Sequence, residues 1–198
     1  WFTELNQTAA EGKSAGYVFV MGSFNEILKS FDMPVVFPEI NSLQTAVRRV
    51  AHEYLEEAED YGYSPDICGY VKADIATQLR GGEHPMGQIP KPSMTVLTNA
   101  CNTYIKWAEA WERMYQMPVV TLDVPGTRQE GTQTWKGSTH FENDRKYVEV
   151  QIKELITTCE QVTGKKFDID KLRDTMHHAN VMSDCWKRLL DLNANSPS

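Results

Sequence analysis

Met94-Thr95-Val96-Leu97-Thr98-Asn99-Ala100-Cys101-Asn102-Thr103-Tyr104-Ile105-Lys106-Trp107 passes from one secondary structure to another within itself. Residues 94–98 are a short apolar run of the β type, whereas residues 102–115 set Tyr104, Trp107, Trp111 and Tyr115 at helical steps. A strand therefore gives way to a helix at Cys101. The alternation continues outward in both directions. Downstream, Pro118-Val119-Val120-Thr121-Leu122-Asp123 reads as a strand closed by Val124-Pro125-Gly126. Upstream, Tyr17-Val18-Phe19-Val20-Met21 ends at Gly22-Ser23, a short helix covers about residues 24–31, and Met33-Pro34-Val35-Val36-Phe37 is closed by Pro38-Glu39. Short apolar strands separated by helices imply βαβ units. The expected fold is α/β: a Rossmann-like or flavodoxin-like, mostly parallel four-stranded sheet flanked by helices.

The other segments are read the same way. Residues 1–16 are polar without a clear period and form an N-terminal segment. Leu43, Val47, Val50, Tyr54, Leu55, Ala58 and Tyr61 predict one long amphipathic helix stopped by Gly62. A helix runs from Cys68 to about Leu79 and ends at Gly81-Gly82; residues 83–92, with three prolines, read as a loop. A long polar loop leads to about Glu142. Two helices close the chain, one with Val148, Ile152, Leu155, Ile156, Cys159 and Val162 on its apolar face, the other with Ile169, Leu172, Met176, Ala179, Trp186 and Leu190. The expected organisation is an α/β domain over 17–141 and a C-terminal helical extension over 142–198.

With 198 residues the chain is long enough for one domain with a sizeable core. A net charge of -7 argues against general nucleic-acid binding, which needs a basic surface. No apolar run approaches the roughly 18 residues that span a membrane. Four cysteines spread over positions 68, 101, 159 and 185, in a chain that needs no staples, point to a reducing cytoplasm.

Cys68 and Cys101 each stand where a helix begins. Unpaired N–H groups and the positive end of the helix dipole favour a thiolate there, the form that binds metals and iron–sulfur clusters. Packing as small hydrophobes is the other reading, and their separation matches no compact zinc or ferredoxin spacing. Cys159, on an apolar helix face, reads as packed, and so does Cys185 beside Trp186. Glu39 is either a helix N-terminal charge or a pocket carboxylate. His177 and His178 diverge by about 100° and read as solvated surface. In open α/β sheets ligands gather at the carboxyl ends of the strands, which groups Gly22-Ser23, Glu39, Cys101 and Asp123 around one crevice. No glycine-rich phosphate cradle follows the first strand, which disfavours a nucleotide or flavin module.

These residues carry a family resemblance. Ser64-Pro65-Asp66-Ile67-Cys68-Gly69-Tyr70-Val71-Lys72-Ala73-Asp74-Ile75 and Asn99-Ala100-Cys101-Asn102-Thr103-Tyr104-Ile105-Lys106-Trp107 resemble the two cysteine segments of the 2-hydroxyacyl-CoA dehydratase and benzoyl-CoA reductase family. Phe37-Pro38-Glu39 matches its Pro-Glu pair, and Pro118–Pro125 is similar to the strand that follows the second segment. The stretch Asp123-Val124-Pro125-Gly126-Thr127-Arg128 leans toward the reductase branch.

The resemblance implies a [4Fe-4S] cluster on three cysteines between two Rossmann-like domains. It makes Cys68 and Cys101 cluster ligands, with Glu39 and Ser23 as catalytic candidates. It implies an acyl-CoA substrate, a paralogous catalytic subunit, and an ATP-hydrolysing iron–sulfur protein that donates single electrons at low potential. In the reductase branch these reduce the ring of benzoyl-CoA to a cyclic diene thioester during anaerobic aromatic degradation. In the dehydratase branch a ketyl radical expels a hydroxyl group. Members are about twice as long, so the third ligand is expected in a second α/β domain outside this chain, and the chain alone is expected to be inactive. A non-catalytic scaffold subunit is the alternative of a different class.

Overall fold

A computed structural model describes residues 1–19, 24–125 and 139–195. The strands read from the sequence are β1 (Ala15–Val18), β2 (Val35–Val36), β5 (Pro92–Thr98) and β6 (Val119–Leu122), and they form one parallel sheet in the order β2-β1-β5-β6. Tyr17 pairs with Val36 on one side and Thr95 on the other. The chain moves to β2 on one side of β1 and to β5 on the other, so a topological switch point lies between the carboxyl ends of β1 and β5.

Side chains alternate across this sheet, as the pleat requires. Tyr17, Phe19 and Leu97 face a core completed by α4 (Ala51–Tyr61), α5 (Gly69–Leu79) and α6 (Asn102–Tyr115), with Trp107 and Trp111 fully buried. Phe19 stacks on Tyr104 and on Trp111. Truncating either indole to alanine would cost about 3–5 kcal/mol. Val18, Met94, Val96 and Leu122 face the opposite core, built with α2 (Asn25–Ser30) and α7 (Thr139–Thr163). A Cβ at Gly16 would collide with Leu28 and Met33, so glycine lets α2 approach the sheet.

Four expectations are corrected. Residues 1–16 are not irregular: α1 (Phe2–Ala10) docks through buried Leu5, and the Trp1 indole donates to the Val35 carbonyl at 2.8 Å. The long helix is two helices, α3 (Pro38–Val47) and α4, because Arg49 turns left-handed at φ 61 and Val50 N–H closes the turn on Thr45. Leu43 and Val47 are consequently exposed. The proline-rich loop contains an antiparallel pair, β3 (Glu83–His84) with β4 (Gly87–Gln88), anchored by buried His84 against the Asn41 carbonyl at 3.0 Å.

The fourth correction concerns α8 (Ile169–Asn195), which packs on α2 through its first turns. There Lys165 and Lys171 hold Asp32, whose carboxyl those hydrogen bonds lower to about 2. Met176, Trp186 and Leu190 were expected in the core but stand exposed, Trp186 at 62%, and Cys185 beside it is exposed rather than packed. A helical stripe records that a helix is amphipathic and leaves open whether its partner belongs to the same segment.

Candidate functional site

Both suspected cysteines sit at the N-caps of helices: Cys68 caps α5 and Cys101 caps α6, neither using its side chain as a capping acceptor. The thiols are therefore not consumed by the helix ends they adjoin. Cys101 follows β5 through Asn99, whose amide bonds both Asp123 and the Val124 backbone. Asp123, grouped with the crevice by the strand-end rule, is instead absorbed in bracing: Tyr147 donates to its second oxygen at 2.9 Å, and Gln151 bonds its backbone. That corner fixes the loop before Cys101.

The loop before Cys68 is fixed by Lys72, one turn into α5. The residue is 5% exposed, and its ammonium donates to Glu59 at 2.5 Å and to the Pro65 carbonyl at 2.8 Å. Ser42 on α3 donates to the Tyr70 carbonyl at 2.7 Å and so joins the first turn of α5 to the helix that carries Glu39.

Tyr104, one of the aromatics at helical steps on α6, reaches across to α3. Its hydroxyl donates to Glu39 Oε1 at 2.8 Å. The phenol is held well above its usual range, first by burial, then by the Glu39 carboxylate, then by charge at Cys101 and Cys68. It thus stays protonated as a donor to Glu39. A cavity of about 410 Å³, lined by Tyr63, Cys68, Asn102, Lys106 and Trp107, opens between the starts of α5 and α6. Glu39 stands in the first turn of α3, the position of a helix N-terminal charge.

Cys68 and the first turn of α6 line one cavity, and Tyr104 ties that turn to Glu39 on α3, whereas Ser23 lies outside the described residues. Nothing in the pattern around Tyr104 marked its bond to Glu39, which joins residues far apart in sequence. Cys159 is remote and buried beside Met94, and burial pushes its thiol up to about 12. His177 and His178 are exposed. A larger hollow of about 590 Å³ lies at the amino-terminal rim, lined by Glu4, Glu11, Lys13, Asp32 and Lys165 and no thiol.

The donor set can be tested against an iron–sulfur centre. Two thiols at adjacent helix N-termini fit part of such a site, since N–H groups there stabilise charge on sulfur. Among the described residues no three His, Cys, Asp or Glu side chains gather to hold a metal, so these residues alone do not make a complete ligand set.

Residues 23–198 match the family described as 2-hydroxyglutaryl-CoA dehydratase, D-component. Over its whole length the chain is 36% identical to a benzoyl-CoA reductase subunit of Thauera aromatica, covering 44% of that protein. It is 29% identical, over 87% of its length, to the (R)-phenyllactyl-CoA dehydratase alpha subunit of Clostridium sporogenes. The (R)-2-hydroxyisocaproyl-CoA dehydratase alpha subunit of Clostridioides difficile is 28% identical over 86% of the chain. This chain spans 40% of the length of each of those two dehydratase subunits.

Proposed function

The chain belongs to the 2-hydroxyglutaryl-CoA dehydratase D-component family, and on that premise we propose that it is the cluster-bearing half of a catalytic subunit in a benzoyl-CoA reductase type enzyme. The observation that carries this reading is the cavity between the cysteine-capped starts of α5 and α6, with Tyr104 in the first turn of α6 bonded to Glu39. The similarity to a benzoyl-CoA reductase subunit over the whole chain supports the reductase branch.

In this reading Cys68 and Cys101 bind a [4Fe-4S] cluster whose third thiol comes from polypeptide outside residues 1–198. When bound, the cluster supplies single low-potential electrons to an acyl-CoA thioester. The chain's own groups do the rest. The N–H groups opening α5 and α6 stabilise the thiolates. The Tyr104 hydroxyl orients the Glu39 carboxyl by hydrogen bonding, and Glu39 moves a proton at the rim of the pocket. Reduction of an aromatic ring to a diene consumes two electrons and two protons, so a positioned acid is needed beside the electron source. Ser23 is the weaker second candidate for that pocket.

The partners follow from this chemistry: an acyl-CoA substrate, a paralogous subunit and an ATP-hydrolysing iron–sulfur electron donor. The C-terminal helices lead into a second α/β domain that completes the site. No helix of the described residues is long and apolar enough to cross a membrane, and the proposed setting is the cytoplasm.

Dehydration of a 2-hydroxyacyl-CoA is the second reading, favoured by the family description and by the dehydratase relatives. Anaerobic assay of the full-length subunit with its partner and electron donor, using benzoyl-CoA against 2-hydroxyacyl-CoA substrates, separates the two. Turnover of the hydroxy substrate alone overturns the reductase reading. Absence of iron and sulfide from the purified subunit overturns both and leaves a scaffold role.

A further inference from the structure

Resting on the reading that Cys68 and Cys101 serve one centre, we propose that Asp74 is a positioning residue whose carboxylate, bonded to the Trp107 and Trp111 indoles, holds the two cysteine-bearing helices in register. The need for such a device follows from how the helices are mounted. α5 packs chiefly on α3 and α4, whereas α6 packs on β5 and β6. Each cysteine is thus fixed to a different part of the fold, and something between them must set their relative position.

The geometry of the link is specific. Asp74 lies six residues after Cys68, and Trp107 lies six residues after Cys101. Six helical residues span about 9 Å, so the bond ties the helices at equal depth below both thiols. The indole N–H groups of Trp107 and Trp111 each donate to Asp74 Oδ2 at 2.7 Å. Gln78, one turn on, donates to Oδ1 at 3.1 Å and accepts from the Tyr115 hydroxyl at 2.7 Å. Asp74 and Gln78 on α5 therefore mate with three donors spaced four residues apart on α6. Two donors converging on one oxygen select one register, because a slide of one turn, about 5.4 Å, would leave at most one in reach.

Stability alone does not account for a carboxylate here. Asp74 is 1% exposed, and its three side-chain donors, Trp107, Trp111 and Gln78, are all neutral. A buried charge of this kind is replaced by apolar side chains at little cost, or at a gain, when all partners change together. What apolar packing cannot reproduce is the directional constraint on both helices.

The test uses the full-length subunit, loaded anaerobically with iron and sulfide, and reads iron per subunit, the rate of iron loss to a chelator, and the thermal midpoint. Trp107→Phe with Trp111→Phe keeps an aromatic ring at each position, smaller than the indole, and removes the donors; it is expected to lose iron on the order of tenfold faster, the scale for groups that orient metal ligands. Adding Asp74→Leu is expected to restore the thermal midpoint while iron loss stays fast. Asp74→Asn, which keeps an oxygen for both indoles, is expected to release iron at the parental rate. Leu155→Ala, on the other side of the sheet, serves as a destabilised control that also keeps that rate. Parental release in the triple variant, or fast release in Asp74→Asn, overturns the positioning role. A parent subunit that binds no iron overturns the centre itself, which is a distinguishable failure.

Discussion

Replacing Asp74 by asparagine changes how the stability of the protein depends on pH. The size of that change follows from the burial of one carboxyl. Burial raises the Asp74 carboxyl from 3.8 to about 6, against the opposing hydrogen bonds from Trp107, Gln78 and Trp111. Its folded pKa therefore lies above its unfolded one. The stability linked to this group is fully present below about pH 4 and is lost as pH rises through about 6. Over the whole titration, from well below pH 4 to well above pH 6, the gap of about 2 pH units corresponds to about 3 kcal/mol.

Asp74→Asn removes this dependence. It also sets an amide N–H against the Gln78 Nε2 donor, a penalty of about 1 kcal/mol that does not vary with pH. The stability difference between variant and parent should therefore move in favour of the variant by about 2 kcal/mol between pH 4 and pH 7. Urea unfolding at half-unit pH steps measures it, followed by tryptophan fluorescence, since Trp107 and Trp111 touch the substituted group. A difference that stays flat across this range, or moves in favour of the parent, refutes the account of Asp74 as a buried, ionisable carboxyl.

Tyr104→Phe keeps the ring stacked on Phe19 and removes the bond to Glu39; it should cost about 1 kcal/mol in unfolding experiments and lower kcat more than it changes KM. Lys72→Met should cost about 1–3 kcal/mol and release residues 62–67, seen as faster proteolytic cleavage there, because Glu59 and the Pro65 carbonyl lose their donor. Native-state alkylation near pH 8 should modify exposed Cys185 and spare Cys159, whose thiol burial holds up at about 12; prompt labelling of Cys159 would contradict its packed position.

Much of the fold was readable because its determinants are local. The α6 helix ran over residues 102–115 as its aromatic spacing required, and the parallel sheet followed from short apolar strands separated by helices. The break at residues 48–50 was not readable, since Arg49 adopts a left-handed conformation at a position that neither glycine nor proline announces. The β3–β4 pair escaped notice because each strand has two residues and its stability comes from His84 reaching α3.

The candidate site divides along the same line. Cys68 and Cys101 were legible because a helix start is a property of neighbouring residues. The link from Tyr104 to Glu39 and the link from Asp74 to two indoles were not, because they join residues that only the packing of separate helices brings within bonding distance. Tyr104, Trp107 and Trp111 recur at helical steps and all three are buried, yet each also directs a polar group at a carboxyl.

The linear order of residues was enough to specify the alternation of strands and helices, the helix starts that carry the thiols, and the burial of Cys159. Folding in three dimensions settled which helices face one another, why Asp123 is a brace, and why the far end of α8 lies bare. The physical reason is range. Propensity, periodicity and capping act over a few residues, whereas a buried hydrogen bond or a missing packing partner depends on groups that have no fixed spacing along the chain.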